Sequence, residues 1–458
     1  AYSNLGRIIT IGTGYFRMMI NASMTFTPGD VGNILFEKTN VATDLVITLG
    51  ANTVFGGYLT ITSLHATNTL TLDMAGKTLA ATAITVGTRG VLTNSGAAAA
   101  CTTPGAFTVS GASSVVSGAI VLTYGTYVQS NGTATQVGNW SGGNVTASGG
   151  TLTGAGSASV TLTSSGDVDL TGATVTADKL NLVMTGAGKT LTTTATLFGL
   201  KASAYTNIAA SCAITAGAGS HLTTDAGAFL NIANTKVLTL PLYADGATLV
   251  PNGPIGGLGT LAITMSDGDV STRLGTILCP LTIASINTAA ANRVLTVLDD
   301  PSLAAVTVSS SDDDKTTTLD FAGRSANISG AVTIGTRGNI LWGEGVHRQG
   351  GNIDTSAGAT NFETSQIIFT KAATLKTGAD QPLYDMLIAP DVAVTLASDV
   401  TVSHTYGNGG TLIPGAFALT ASGSSYDKVF LPTEIRANIS PLLYPTGKRF
   451  MRRLERVQ

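Results

Sequence analysis

Between Gly90 and Gly166 the chain contains not a single Asp, Glu, Lys or Arg. Almost all of this stretch is Gly, Ala, Ser, Thr, Val and Leu. A surface helix needs a polar, usually charged, face and residues of good helix propensity, and glycine and threonine are poor helix formers. Short strands joined by tight turns are therefore expected.

Polar and apolar residues alternate at 159–163 and again at 167–171. In a strand, this alternation places every second side chain on the same face. One face is then available for burial, and the other presents hydroxyl groups to solvent. We assign Val160 and Leu162 to the buried face.

Two short motifs recur far apart in the chain. Leu-Asp-Met-Ala-Gly-Lys at 72–77 returns as Leu-Asp-Phe-Ala-Gly-Arg at 319–324. Ile-Thr-Val-Gly-Thr-Arg-Gly at 84–90 returns as Val-Thr-Ile-Gly-Thr-Arg-Gly at 332–338. Self-similarity of this kind indicates a repeat architecture.

The sequence therefore predicts an all-β chain, built as a right-handed parallel β-helix or β-solenoid. The predicted body covers residues 44–424, with short non-solenoid segments at 1–43 and 425–458. At roughly 20–25 residues per turn, such a body contains about 15–19 turns.

The two terminal segments differ from the body in composition. The first contains Arg7, Arg17 and three methionines, and we predict that it caps the solenoid or docks on a partner. Residues 447–458 match a short amphipathic helix that holds five of the 24 basic residues. It is predicted to dock on a partner or, alternatively, to fold back as a cap. The predicted docking residues are Arg7, Arg17, Lys448, Arg449, Phe450, Met451, Arg452, Arg453, Leu454 and Arg456.

Charged residues make up 11% of the chain, against a usual share of about 25%. The net charge of −3 argues against a body that binds nucleic acid, which would need a basic stripe to neutralise phosphates. No run of the sequence approaches the roughly 18 consecutive apolar residues that a membrane helix requires.

The chain has three cysteines, Cys101, Cys212 and Cys279, which is an odd number, and they are widely spaced. They are predicted to be buried thiols, because neither a disulfide framework nor a zinc site has this spacing.

Candidate chemistry is sparse. Asp167 and Asp169 would lie about 6–7 Å apart on one strand face, a separation that glycoside cleavage can use, although solubilising carboxylates are the commoner case. Two acidic loops could bind calcium, but they lack an EF-hand or nonapeptide pattern and are expected to be solvated turns. The four histidines are far apart in the sequence. The first acidic loop contains Asp267 and Asp269, and the second contains Asp312, Asp313 and Asp314.

From these observations we predict no catalytic residue, no metal and no cofactor.

The strands and turns at 387–396, 398–402 and 407–412 resemble those of β-helical adhesin passengers and β-helical virion surface proteins such as phage spikes. This resemblance implies a surface-displayed β-helix and assigns no catalytic residue. The terminus at Ala1 fits removal of an initiator methionine, although a cleaved signal peptide would leave the same end.

The sequence thus favours a non-enzymatic protein on the virion surface, namely a decoration protein, head fibre or spike. Its expected partners are capsid or other virion proteins, further copies of the chain (a trimer being one option) and a host-surface glycan. The first alternative is a secreted bacterial or archaeal adhesin or filament subunit, located outside the cell or on its surface. The second alternative is a polysaccharide depolymerase.

Overall fold

A computed structural model describes residues 8–11, 15–27, 32–154, 160–176, 180–216, 218–243, 248–286, 291–311 and 314–427. Every regular element in these ranges is a β-strand, and none is a helix. The chain divides into two compact units, Ala1–Ile263 and Thr264–Gln458.

Strands β1 to β29 belong to the first unit. They are β1 (Ile8–Ile11), β2 (Tyr15–Ile20), β3 (Met24–Phe26), β4 (Asn33–Lys38), β5 (Leu45–Leu49), β6 (Thr53–Ser63), β7 (Leu70–Asp73), β8 (Leu79–Val86), β9 (Gly90–Thr93), β10 (Ala99–Val109), β11 (Val115–Val116), β12 (Ile120–Gln129), β13 (Thr133–Gln136), β14 (Trp140–Ala147), β15 (Thr151–Gly154), β16 (Val160–Ser164), β17 (Val168–Asp169), β18 (Thr174–Thr176), β19 (Leu180–Met184), β20 (Lys189–Thr192), β21 (Thr196–Leu197), β22 (Gly199–Ala202), β23 (Thr206–Ile208), β24 (Cys212–Ile214), β25 (His221–Thr224), β26 (Leu230–Ile232), β27 (Val237–Tyr243), β28 (Thr248–Pro251) and β29 (Ile255–Gly257).

Strand β30 (Thr260–Asp267) includes the division between the units, and the remaining strands belong to the second. These are β31 (Val270–Thr272), β32 (Thr276–Ile277), β33 (Leu281–Ser285), β34 (Arg293–Val297), β35 (Ser302–Leu303), β36 (Val306–Ser310), β37 (Thr317–Asp320), β38 (Ala326–Ile328), β39 (Val332–Ile334), β40 (Gly338–Leu341), β41 (Val346–Gln349), β42 (Ile353–Asp354), β43 (Ala359–Asn361), β44 (Gln366–Phe369), β45 (Ala373–Lys376), β46 (Leu383–Ile388), β47 (Ala393–Leu396), β48 (Val400–Asn408), β49 (Thr411–Ile413), β50 (Leu419–Ala421) and β51 (Ser424–Asp427).

Most strands pair in parallel with strands one turn earlier or later in the chain. In the first unit, Ile34 pairs with Leu59 and Leu59 pairs with Ile84, so that one turn separates each residue from the next. The length of a turn varies along the chain, and the step is shorter where Phe107 pairs with Tyr127. Repetition of this pattern makes a β-solenoid of about 18 turns and confirms the predicted fold class.

Apolar residues from successive turns lie directly above one another inside the solenoid. All members of one such column are at most 1% exposed, and burial of each large apolar side chain contributes about 1.5–3 kcal/mol. Val160 and Leu162 are also buried, as predicted. The column contains Ile34, Leu59, Ile84, Phe107, Tyr127, Val145, Val168 and Leu191.

The first repeated motif forms the same turn in both units. The Asp73 carboxylate accepts a hydrogen bond from the backbone N–H of Ala75 at 2.9 Å, and Asp320 accepts one from Ala322 at 2.7 Å. Ala75 and Ala322 have φ angles of 48° and 49°. A following glycine with positive φ completes each turn.

The second repeated motif is also equivalent in the two units. A Cβ atom on Gly90 would lie 2.2 Å from the Ile61 carbonyl oxygen, and one on Gly338 would lie 2.1 Å from that of Val308. Both glycines are therefore required, because the backbone of one turn approaches the next too closely for a side chain.

The parallel sheets extend upstream of residue 44. Strand β2 pairs in parallel with β4, and β4 with β6. The first described strand, β1, instead pairs with β2 in antiparallel orientation. An antiparallel strand at this position covers one edge of β2, a feature consistent with capping.

We expect Leu162→Asp to lower the free energy of unfolding by more than about 4 kcal/mol, since it buries an unpaired carboxylate in the core. Leu162 is 1% exposed, whereas its neighbour Thr161 faces outward and is half-buried. Thr161→Asp is the matched control and should change the free energy by less than about 1 kcal/mol. Unfolding followed by circular dichroism measures both. Equal stabilities for the two variants would contradict the assigned inner face.

Candidate functional site

Of the predicted docking residues, only Arg17 lies in the described ranges. Its guanidinium donates a hydrogen bond to the carboxylate of Glu37 on the adjacent strand β4. Glu37 is buried and Arg17 is half-buried. Arg17 therefore contributes to an ion pair within the chain, and its docking role stays a prediction. The docking residues outside the described ranges are Arg7, Lys448, Arg449, Phe450, Met451, Arg452, Arg453, Leu454 and Arg456.

The two carboxylates considered for sugar cleavage bind backbone and side-chain groups of their own unit. Asp167 accepts a hydrogen bond from the N–H of Thr190 at 2.9 Å. Asp169 accepts bonds from the N–H and the hydroxyl of Thr171, at 3.0 Å and 2.7 Å. Both carboxylates thus fix strand ends and turns.

The acidic loops are described only in part, because the side chain of Asp267 and the whole of Asp312 and Asp313 lie outside the described ranges. Asp269 accepts a hydrogen bond from the N–H of Val294 at 2.9 Å. Among the described residues, no three His, Cys, Asp or Glu side chains meet in a way that could hold a metal ion.

Carboxylates also border a shallow depression of about 410 Å³ on the second unit. Its acidic residues are Asp320, Glu344 and Glu363. The depression lies beside the repeated turn at Ala322 and Gly323, and nothing in its geometry identifies a ligand.

All three cysteines are buried thiols, which confirms the prediction. Burial raises the pKa of both Cys101 and Cys212 to about 12. Such thiols stay protonated at neutral pH and react slowly with thiol reagents. No helix in the described ranges is both long enough and apolar enough to span a membrane.

The outward side of the first unit carries a column of small uncharged residues. Strand pairing aligns them from β6 to β19, one residue per turn, and the next residue in register, on β22, is Lys201. Val54, at one end of the column, is 64% exposed. We call this column the uncharged face; it comprises Val54, Ala80, Thr102, Thr123, Ser141, Thr163 and Val183.

The neighbouring sheet of the same unit has a second outward column of similar composition. Every member is a threonine or a valine, so this column is also without charge. Its members are Val46, Thr71, Val91, Val115, Thr133, Thr151 and Thr174.

An aromatic pair of an exposed tyrosine and a half-buried phenylalanine lies further along the first unit. The rings of Tyr205 and Phe229 are parallel to within 7°, and their centroids are 5.6 Å apart. The two residues are distant in sequence, but pairing of β23 with β26 places them on adjacent turns. Sequence reasoning missed this pair because the length of the intervening turn was unknown.

Polar side chains lie close to this aromatic pair in the chain. Asp225 accepts hydrogen bonds from the Ser203 hydroxyl at 2.8 Å and from the Lys201 ammonium at 3.0 Å. These two bonds, the one from Ser203 first, lower the pKa of Asp225. On β23 and β26, the amide of Asn231 donates a bond to that of Asn207 at 2.7 Å.

A second surface cluster occurs in the second unit, on β46 and β48. The rings of Tyr384 and His404 stack with centroids 4.4 Å apart, and His404 Nδ1 lies 2.7 Å from the Asp385 carboxylate. His404 is largely exposed, whereas Asp385 is half-buried. The cluster contains one imidazole and one carboxylate, which is too few ligands for a metal site.

His347 is instead part of the core of the second unit. Its ring packs against Trp342 and Phe321, at centroid distances of 4.8 Å and 5.0 Å. Nε2 lies 2.9 Å from the Trp342 carbonyl oxygen, while Nδ1 is buried without a hydrogen-bond partner. Burial lowers the pKa of His347 to about 4, against smaller raising effects of the Trp342 carbonyl and the Asp300 charge.

Comparison of this chain with protein-family models, curated proteins and solved structures gives no match.

We expect acid to destabilise the second unit through His347. The unfolded chain takes up a proton near pH 6.5, but the folded chain does so only near pH 4. The contribution of neutral His347 to the free energy of unfolding is therefore complete above pH 6.5. It is lost as the pH falls toward 4, by up to roughly 3 kcal/mol.

Denaturant unfolding between pH 7 and pH 4 measures this effect. His347→Leu removes the titrating group, so the pH dependence of its unfolding should be shallower than that of the unsubstituted chain. Parallel pH profiles for the two proteins would contradict the assignment.

Proposed function

We propose that this chain is a structural protein displayed on the surface of a virus particle, as a decoration protein, head fibre or spike of a phage. The observation that carries this proposal is the uncharged face of the first unit. Soluble monomeric proteins usually carry about a quarter charged residues, interspersed over the surface. An ordered column of Thr, Ser, Ala and Val is instead suited to contact with another protein surface.

Two physical properties support a contact role for the uncharged face. Its side chains are short and several are β-branched, so they lose little rotamer freedom when a partner covers them. The face also has no charge to desolvate, which removes one of the larger penalties of burying a protein surface.

We propose that the partner on this face is a second copy of the chain. A partner with a charged surface would have to desolvate its charges without gaining an ion pair, so the uncharged face disfavours it. The chain itself supplies a second uncharged surface, because the adjacent sheet carries the Thr and Val column described above. Side-by-side association of copies is the arrangement expected of a spike or fibre.

Attachment to the particle is proposed to use the terminal segments. Residues 448–456 combine five basic residues with the apolar side chains of Phe450, Met451 and Leu454. Apolar anchors supply most of the affinity in such contacts, and the basic groups steer docking toward an acidic surface.

A secreted adhesin or filament subunit is the second candidate. The exposed Tyr205, stacked on the half-buried Phe229, favours it because adhesion needs a surface that recognises a ligand. Both candidates share the same solenoid and the same self-association.

We expect the double variant Thr102→Lys, Thr123→Lys to weaken self-association by about 100-fold or more, because it places like charges in a contact with no counter-charge. The two threonines are paired in register on β10 and β12. Thr307→Lys with Thr333→Lys is the matched control, an in-register outward pair in the second unit. Sedimentation velocity measures the association of each protein. A monomeric unsubstituted chain, or equal effects of the two double variants, would contradict the proposed face.

Deleting residues 446–458 should leave a folded β-protein that no longer binds its particle, and binding by the full chain should weaken as salt rises. Co-sedimentation with the particle from which the protein is obtained measures this. Unchanged occupancy after the deletion would exclude the attachment role, and aggregation of the shortened chain would favour the cap.

A further inference from the structure

We propose that the first unit binds a neutral carbohydrate at a notch beside Tyr205, in which one pyranose ring stacks on the open face of the tyrosine. We call this site the Tyr205 notch. It consists of Gly188, Tyr205 and Phe229, with Lys201, Ser203, Asp225, Asn207 and Asn231 as the neighbouring polar groups.

The notch exists because Gly188 has no side chain at a position where the next two turns carry an aromatic ring. Strand pairing brings Gly188, Tyr205 and Phe229 to equivalent positions on three successive turns, each just before a paired strand. The N–H of Gly188 donates a hydrogen bond to the Tyr205 carbonyl at 2.9 Å, and the N–H of Thr206 donates one to the Phe229 carbonyl at 2.8 Å.

Phe229 stacks on one face of the Tyr205 ring, and we infer that the other face is open from the space beside Gly188, the equivalent residue one turn earlier. A Cβ atom on Gly188 would meet no atom within 4 Å. Tyr205 is 45% exposed, although its ring is held in place by stacking on Phe229. A held aromatic ring with one open face is a stacking platform that loses little freedom on binding.

Residues with hydrogen-bonding side chains lie a few positions before and after Tyr205 and Phe229 in the sequence. The Lys201, Ser203 and Asp225 cluster offers an ammonium, a hydroxyl and a carboxylate. All three side chains are half-buried, as are those of Asn207 and Asn231. These groups include both donors and acceptors, which the hydroxyl groups of a sugar require.

The charge at the notch favours a neutral sugar over a nucleic acid. Bases also stack on tyrosine, but nucleic-acid binding needs cationic side chains to neutralise phosphates. Lys201 is already paired with Asp225 at 3.0 Å, and a single further lysine, Lys189, adjoins Gly188. An apolar ring face beside mostly neutral or paired polar groups matches a pyranose, which has a C–H face and a hydroxyl-bearing edge.

This inference goes beyond the proposed virion role and does not depend on it, whereas the second candidate function, adhesion, uses the same Tyr205 and Phe229. The notch does not include any residue of the uncharged face, so the Thr102→Lys, Thr123→Lys variant should bind sugar as the unsubstituted chain does. Failure of self-association and failure of sugar binding are therefore separate results.

Affinity electrophoresis of the full chain tests the proposal, with gels that contain dextran, mannan or galactan and a parallel gel that contains dextran sulfate. We expect at least one neutral polysaccharide to retard the protein. Tyr205→Ala should weaken that binding by about tenfold, while Tyr205→Phe should retain most of it because the stacking face remains.

Two further variants separate loss of the notch from general damage. Gly188→Asn introduces a residue that tolerates the positive φ of 71° and fills the open space, so it should weaken binding with Tyr205 still present. Tyr58→Ala removes a tyrosine of the same unit that is 48% exposed, and it should bind as the unsubstituted chain does.

The proposal is overturned if no neutral polysaccharide retards the protein. It is also overturned if Tyr205→Ala and Tyr58→Ala behave alike. Retardation by dextran sulfate alone would show charge-driven binding and would likewise overturn it.

Discussion

The structure depends on in-register parallel pairing between successive turns. Once backbone hydrogen bonds fix one turn on the next, every inward side chain lies on the inward side chain one turn away. Ile34, Leu59 and Ile84 illustrate this in the first unit, where three fully buried residues share one column. The same pairing orders the outward side chains, so that core and surface follow from one constraint.

This constraint explains which residues stay the same between the repeated motifs. Asp73 and Asp320 have equivalent hydrogen bonds, and Gly90 and Gly338 have equivalent close contacts with the preceding turn. The residue after the aspartate is free to differ in size, as methionine or phenylalanine, because both fill the core of their own unit. Backbone geometry is thus maintained between the two copies more strictly than side-chain volume.

Much of the fold could be predicted from the sequence, because strand alternation is a local property. The inward positions of Val160 and Leu162 follow from alternation alone, and the buried cysteines follow from their spacing and number. Neighbours on adjacent turns could not be predicted, since the step between paired residues varies. The step from Lys189 to its partner Thr206 is short, whereas the step from Ile277 to Leu303 is much longer.

The candidate sites depend on that unpredictable register. Tyr205 and Phe229 stack only because one whole turn separates them, and a shift by a single position would point one ring inward. The packing of His347 on Trp342 and Phe321 has the same origin. By contrast, the lack of charge in the stretch from Gly90 to Gly166, which supplies most of the two uncharged columns, was visible in composition, although their alignment was not.

The central functional claim is that copies of the chain associate through the uncharged face. Its most direct test uses a cysteine introduced on that face. The native thiols are buried, and those of Cys101 and Cys212 have raised pKa values, so a surface cysteine can be labelled selectively. The measurement is the labelling rate of Thr123→Cys as a function of protein concentration, with Thr333→Cys as the reference. If copies of the chain meet through the uncharged face, labelling at position 123 slows as the protein associates, while labelling at position 333 does not change. Equal labelling rates at both positions in the associated protein would contradict the account.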